Sequence, residues 1–165
     1  MQNQANTNQA SANQYFDLHT TGIGYLSRVR TVDLKAKGRN KAQSFLACSI
    51  AAFFGESNNV NYTYYDVKVV GEKAIEVVND LMEAANDKDR KVIIVFSLGD
   101  LYVDTFTYTK GENAGKVGFQ LKGRLLKIKM AKVDGQVVYK EALDAAETPA
   151  ENDREFANEH TGTEG

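Results

Sequence analysis

Aromatic residues recur at alternate positions in the β-rich stretches of the sequence, and basic residues stand close to them. In the segment 62–70, Tyr62, Tyr64 and Lys68 share one parity. Aromatic faces stack on unpaired bases and cations neutralise phosphates, so these residue types together suit single-stranded nucleic acid. The stacking candidates are Phe53, Tyr62, Tyr64, Tyr102, Phe106 and Tyr108, and the phosphate candidates are Arg28, Arg30, Lys68, Lys122, Arg124, Lys127 and Lys129.

Each candidate also has an ordinary structural interpretation. An aromatic ring in a strand can pack in the core, and for Phe53 both interpretations stay open. Tyr64 and Phe106 alternate with a separate apolar face, which predicts that their rings are exposed. The lysines can be plain surface charge. The basic segment 35–41 either clamps DNA or forms a mobile loop.

Motifs for catalysis are incomplete in this chain. The segment 111–117 imitates a phosphate-binding loop, but its spacing is one residue short and Val117 replaces the hydroxyl residue. Cys48 lies in an apolar run without a neighbouring base, so we interpret it as core packing. Asp100 and Asp104 lack a third metal ligand and are interpreted as solvated strand residues. We therefore predict a protein that is not an enzyme and uses neither a metal nor a cofactor.

The composition is that of one globular domain with an uneven charge. The chain has 165 residues, of which 42% are hydrophobic and 25% charged, with one cysteine and two histidines. These numbers exclude a disulfide framework and a Cys/His zinc site. No apolar run is long enough to span a membrane and no secretion signal stands at the start, so we predict a cytoplasmic protein without membrane contact.

Composition also divides the chain into three parts. Residues 1–14 are rich in Asn and Gln and carry no charge, so a disordered leader is predicted. Residues 15–140 form the predicted domain. The last part, 141–165, has eight acids against one base, whereas residues 1–140 hold 19 bases and 14 acids. This pattern predicts a basic body that meets a polyanion and a disordered acidic tail.

The order of periodic segments predicts the fold. Strands are expected over 22–32, 44–54 and 62–70, a helix over 72–87, and two long strands over 91–109 and 117–133. Gly99 marks an expected bend, and the apolar parity of the last strand changes near residues 123–126, which predicts a bulge there. Three strands, a helix and a closing hairpin are typical of the OB fold, a five-stranded Greek-key barrel. We therefore predict an all-β domain with one helix and the OB fold.

Four stretches also carry a family resemblance that covers about residues 15–140. The sequence resembles replication-associated proteins that are encoded on bacterial integrative conjugative elements and classed as a domain of unknown function. The resemblance rests on the segments YFDLHTTGIGYLSRVR, YTYYDVKVVGEKA, FSLGDLY and FTYTKGENAGKVGFQLKGRLLKIK.

That family is in turn similar to bacterial single-stranded DNA-binding proteins. In those proteins a stacking aromatic precedes a Val-rich strand end that closes on Gly, and Tyr64 and Gly71 occupy this pattern here. The resemblance implies further stacking at Phe53 or Phe54 and at Phe106 and Tyr108. The present chain departs from the pattern because it has no tryptophan and its tail ends in Thr-Glu-Gly.

We therefore expect a single-stranded DNA-binding protein that acts in replication or transfer of an integrative conjugative element. Homo-oligomerisation is expected because one barrel offers a short track, and the acidic tail is a candidate contact for replication proteins. The alternative is an OB-fold interaction module that assembles replication or conjugation proteins without binding nucleic acid, since an exposed aromatic stripe also suits a protein interface.

Overall fold

A computed structural model of the chain describes residues 14–142. This part of the chain forms six strands and one helix, with the helix between the third and fourth strands. The strands are β1 (His19–Leu34), β2 (Gln43–Glu56), β3 (Asn59–Val69), β4 (Val92–Thr107), β5 (Val117–Val133) and β6 (Gln136–Lys140), and the helix is α1 (Glu72–Asn86).

The first five strands pair into a ring. β1 pairs with β2 and β4, β2 pairs with β3, and β4 pairs with β5, all antiparallel. The ring closes where residues 65–69 of β3 run parallel to residues 121–125 of β5. β6 pairs antiparallel with residues 130–133 of β5 and ends the strand order. β3 therefore contacts the hairpin of β4 and β5 along only part of its length.

One apolar core lies between the strands and α1. Side chains alternate between the two faces of a strand, so every second residue of β2 points inward, as Cys48 and Ile50 do. Phe96 and Leu98 of β4 are also fully buried. The apolar side of α1 packs against this core, mainly on β1 and β5. The opposite faces of the strands are left to carry the polar and aromatic side chains.

Three of the long strands are interrupted by irregular residues. β1 shifts register between Ser27 and Arg30, where Arg28 has a φ of 48°. β4 shifts after Gly99, and β5 carries Leu126 as an extra residue opposite Ser97 and Leu98. Each bulge turns the following side chains relative to the sheet. The predicted bend at Gly99 and the predicted bulge at 123–126 are confirmed.

The prediction of a mostly β domain with one helix is confirmed, but the count of five strands is wrong. β6 follows a two-residue turn at Asp134 and Gly135, whose φ angles of 50° and 83° suit a type I′ hairpin. Asp-Gly between two stretches that contain valines is a strong hairpin signal, which the sequence analysis missed. Its short second strand, Gln136–Lys140, bordered the predicted acidic tail and was not assigned.

The predicted leader (1–14) lies outside the described residues except for Gln14, and the predicted acidic tail (141–165) does so except for Glu141 and Ala142. Across residues 14–142, the single helix is too short and too polar to cross a bilayer.

Candidate functional site

An open cleft of about 860 Å³ separates β3 from the hairpin of β4 and β5. It forms because β3 pairs with β5 only from Tyr65 onward, so the preceding residues of both strands have no partner on this side. The cleft also reaches β1 and β2. We call this surface the aromatic cleft, and its lining residues are Ser27, Arg28, Ser49, Thr63, Tyr64, Tyr65, Asp66, Val103, Phe106, Phe119, Gln120 and Leu121.

Exposed rings stand on both sides of the aromatic cleft. Tyr64 of β3 is 68% exposed, and on the hairpin Phe106 is 40% and Phe119 73% exposed. Phe106 packs edge to face on Tyr108, with ring centroids 4.9 Å apart. Gly118 lies directly beneath this pair, because a Cβ there would come within 2.5 Å of Phe106 Cζ. The two rings can therefore pack here only because Gly118 has no side chain.

A second group of rings lies on β1, β2 and β3. Phe53 is half-buried and packs edge to face on Tyr25 and Tyr62, at centroid distances of 4.8 and 5.6 Å. Tyr25 and Tyr62 are nearly parallel, at an angle of 28° and a distance of 6.2 Å. Lys91 Nζ lies 5.6 Å from the centre of the Tyr25 ring. Because Tyr62 and Tyr64 share one face of β3, this group continues the line of the cleft.

Arg28 is the basic residue of the aromatic cleft, and the bulge of β1 positions it. The bulge removes the ladder partner of Val29, and the Asn86 amide at the end of α1 replaces it. Asn86 Oδ1 accepts from Val29 N at 2.9 Å, and Asn86 Nδ2 donates to Val29 O at 2.8 Å. These two bonds fix the backbone next to Arg28 in its left-handed conformation.

Beside the aromatic cleft lies a smaller hollow of about 290 Å³, which shares Asp66 with it. Arg30 Nη2 donates to both oxygens of Asp66, at 2.9 and 3.0 Å. Lys122 stands opposite Asp66 across the parallel pair and bonds Asp104 at 3.0 Å. This bond lowers the pKa of the Asp104 carboxyl and raises that of the Lys122 amine. Tyr102, which is 55% exposed, completes the hollow.

Carboxylates also hold cations further along β5. Arg124 pairs with Asp100, and Lys127 Nζ lies 3.4 Å from Glu141. Of the seven predicted phosphate residues, Arg28, Lys68 and Lys129 are exposed without an acid in ion-pair distance. Lys68 Nζ instead lies 5.0 Å from the centre of the Phe45 ring. The outer wall is therefore closer to neutral than a count of its bases suggests.

The structure brings some of the predicted site residues together and separates others. Arg28, Tyr64 and Phe106 meet in the aromatic cleft, and Arg30, Lys68, Tyr102 and Lys122 meet in the hollow. Phe53 and Tyr62 lie in the ring group on β1 to β3, and Tyr108 contacts Phe106. Arg124, Lys127 and Lys129 line neither surface.

Sequence analysis missed two rings and the acids that pair with the cations. Tyr25 has the parity of Ser27, opposite to buried Leu26, which was a usable signal. Phe119 lies in the part of β5 before the bulges, where exposed and buried residues alternate, so its exposure could also have been predicted. Asp100 and Asp104 are solvated strand residues, as predicted, and each also forms an ion pair that the sequence did not indicate.

Cys48 does not line the aromatic cleft, and Asp66 is the one acidic residue among the described lining residues. Cys48 is fully buried, and burial, followed by the nearby charge of Asp66, raises the pKa of its thiol to about 12. Within residues 14–142, no three histidine, cysteine or acidic side chains are grouped so as to hold a metal ion. The described lining of the aromatic cleft offers aromatic rings, hydroxyl groups and the charged side chains of Arg28 and Asp66.

A comparison with protein-family models matches residues 9–147 to the family described as "Protein of unknown function (DUF3577)". Comparisons with curated proteins and with solved structures give no match. The matched range contains every strand, the helix and all residues of the aromatic cleft.

Proposed function

We propose that this chain, which belongs to the DUF3577 family of proteins of unknown function, is a single-stranded DNA-binding protein. The observation that carries the proposal is the pair of ring-bearing walls of the aromatic cleft. Tyr64 on one side, and Phe106 and Phe119 on the other, expose their rings to water. Exposed rings on a strand surface are costly in water unless a ligand covers them, and unpaired bases offer a matching flat surface.

We also propose that the ring of strands is an OB fold. The order β1-β2-β3-β5-β4, the parallel closure of β3 on β5 and the position of α1 between β3 and β4 support this interpretation. In OB folds, oligonucleotides bind across strands 2 and 3 and the loops after strands 1 and 4. Here the corresponding surface carries Tyr62, Tyr64 and the β4–β5 hairpin, with the basic segment 35–41 after β1.

Phosphate contacts come from few cations in this proposal. Of the seven predicted phosphate residues, four are paired with acids, which leaves Arg28, Lys68 and Lys129. Each neutralised phosphate of a single strand contributes about −0.7 to the slope of log K against log salt. Lys129 lines neither surface, so Arg28 and Lys68 alone give a slope of roughly −1.4. The four bases of the segment 35–41 would steepen this slope where they reach the strand.

A fluorescence anisotropy titration with a labelled oligo(dT), repeated over a salt series, tests the proposal. Tyr64→Ala and Phe106→Ala should each weaken binding by about 1–3 kcal/mol, or roughly 5- to 150-fold, with an unchanged melting temperature. Phe54→Ala is the matched control, because Phe54 is 55% exposed but points away from the face of Phe53. Absent binding by the wild type, or equal losses in all three variants, would refute the assignment.

A protein-interaction module is the second candidate, and the ion pairs favour it. Asp66, Asp100 and Asp104 neutralise the wall beside the rings, which suits a protein partner better than a phosphate backbone. In that case a partner recovered by pull-down would survive nuclease treatment, and oligo(dT) would not bind. Tyr64→Ala would then release the partner protein.

The cellular setting is proposed from the sequence resemblance. The protein would act in the cytoplasm, in replication or transfer of an integrative conjugative element. It would bind as a homo-oligomer, because a single cleft covers a short stretch of strand, and its acidic tail would contact replication proteins. Loss of element transfer in cells that carry Tyr64→Ala would support this setting, and normal transfer would contradict it.

A further inference from the structure

The segment before β1 exposes three large apolar side chains. Tyr15 is 78%, Phe16 100% and Leu18 88% exposed, within four consecutive residues. Three large apolar side chains this close together in water, interrupted only by Asp17, indicate a surface that another molecule covers. Phe16 and Leu18 are two residues apart, so in an extended conformation they point to the same side.

A free strand edge with apolar side chains lies elsewhere on the same chain. Within residues 14–142, β6 pairs only with β5, which leaves its other edge open. Val137 and Val138 are 54% and 55% exposed, and the only charge of the strand is Lys140 at its end. Edge strands are usually protected by charges, proline or a bulge, and β6 has little of this protection.

A groove of about 290 Å³ runs between β6 and α1. Val77, Leu81 and Ala84 of the helix form one wall, and Val138 and Tyr139 form the other. Asp80, Glu83 and Arg90 border it. The groove therefore places an apolar slot beside a strand edge that can accept backbone hydrogen bonds, which is the arrangement used in β-strand addition.

We propose that residues 15–18 of one copy add as a strand to the β6 edge of a second copy, with Phe16 and Leu18 in the groove between β6 and α1. Exchange in both directions would close a two-fold dimer. This proposal specifies the contact surface of the homo-oligomer proposed above, and it does not depend on DNA binding.

Distance excludes the groove of the same chain as the place where residues 15–18 bind. His19 pairs with Gly99 of β4, whereas β6 lies two strands beyond, beside residues 130–133 of β5 that pair with the start of β4. Strand rise and spacing put β6 roughly 20 Å from His19. Phe16 is three residues from His19 and reaches about 10 Å, and the chain leaves β1 in the direction away from β6. The segment therefore cannot fill the groove of its own chain.

Cysteine cross-linking tests the contact directly. Cys48 is fully buried, so full-length Phe16→Cys and Val138→Cys each add one accessible thiol. After mixing and mild oxidation, the two variants should give a mixed disulfide dimer at a yield several-fold above Phe16→Cys mixed with Val60→Cys. Val60 is 37% exposed on β3 and is the matched control. Equal yields, or a Val138→Cys dimer that forms as well alone, would overturn the proposal.

Sedimentation without DNA provides the second test. The wild type should dimerise with concentration, and Phe16→Ser with Leu18→Ser should raise the dissociation constant at least tenfold. These side chains make no core contact, so circular dichroism should be unchanged. Tyr64→Ser, in the aromatic cleft, should leave the dimer intact. A monomeric wild type, or equal dimerisation of the double variant, would overturn the interface while leaving oligo(dT) binding to be judged by its own titration.

Discussion

Removing two carboxylates from the outer wall should strengthen binding of single-stranded DNA. Asp100 pairs with Arg124, and Asp104 pairs with Lys122. Asparagine suits both positions: it tolerates the positive φ of 53° at residue 100, and its side-chain oxygen can still accept from the backbone N–H of Thr105. The double variant Asp100→Asn, Asp104→Asn therefore releases two cations with little change of the backbone.

The size of the gain follows from the number of phosphates neutralised. Each released cation adds one contact, so the slope of log K against log salt should steepen by about 0.7 per site, or by about 1.4 for the double variant. Because the contribution of one such contact vanishes at 1 M salt in this relation, the gain in affinity at 0.1 M salt is about five-fold per site. We expect an increase in affinity for oligo(dT) of roughly 25-fold for the double variant.

The assay is the anisotropy titration of oligo(dT) between 50 and 400 mM salt. Asp134→Asn is the matched control, because Asp134 also has a positive φ and also pairs with an arginine, Arg90 at 3.1 Å, but lies at the β5–β6 turn. The control should keep the wild-type slope. An unchanged slope in the double variant would show that Lys122 and Arg124 do not reach phosphates.

Three further outcomes follow from local geometry. Asn86→Ala removes both hydrogen bonds to the backbone of Val29, so the free energy of unfolding in urea should fall by about 1–3 kcal/mol. Gly118→Ala puts a methyl group within 2.5 Å of the Phe106 ring, which can move, so oligo(dT) affinity should drop several-fold at an unchanged melting temperature. The pKa of Cys48 is about 12 in the folded protein, above its ordinary value of 9.0. Between these two values the thiol ionises only in the unfolded protein, so the free energy of unfolding of the wild type should fall as the pH rises. The advantage of the wild type over Cys48→Ala should thus shrink by roughly 2 kcal/mol between pH 8 and 10.5, and a constant difference would contradict the assigned burial.

Sequence periodicity was enough to predict the elements whose two faces differ in polarity. In β3, buried Val67 and Val69 alternate with exposed Tyr62 and Tyr64, as expected. The parity change in β5 located a real bulge because a strand cannot bury both parities on one face. Elements whose two faces differ little in polarity were harder to predict. β6, with five residues and two exposed valines, was missed for this reason.

The electrostatics of the site could not be predicted in the same way, because ion pairs depend on register between distant strands. Arg30 and Asp66 are 36 residues apart and meet only because β2 lies between β1 and β3. Asp100 reaches Arg124 because the bulge after Gly99 changes its direction. A sequence count of bases therefore overstated the positive charge of the wall.

The carboxylates explain how a wall of neighbouring cations can be stable before a strand is bound. Lys68 and Arg124 stand directly opposite each other on β3 and β5, and like charges in this position are destabilising. Asp100 on Arg124 and the Phe45 ring beside Lys68 offset this repulsion in the free protein. Duplex DNA carries one charge per about 1.7 Å, twice the density of one strand, so the same acids should repel it more strongly. The wall then favours single strands through its carboxylates as well as through its rings, and Asp100→Asn with Asp104→Asn should raise duplex affinity by a larger factor than oligo(dT) affinity.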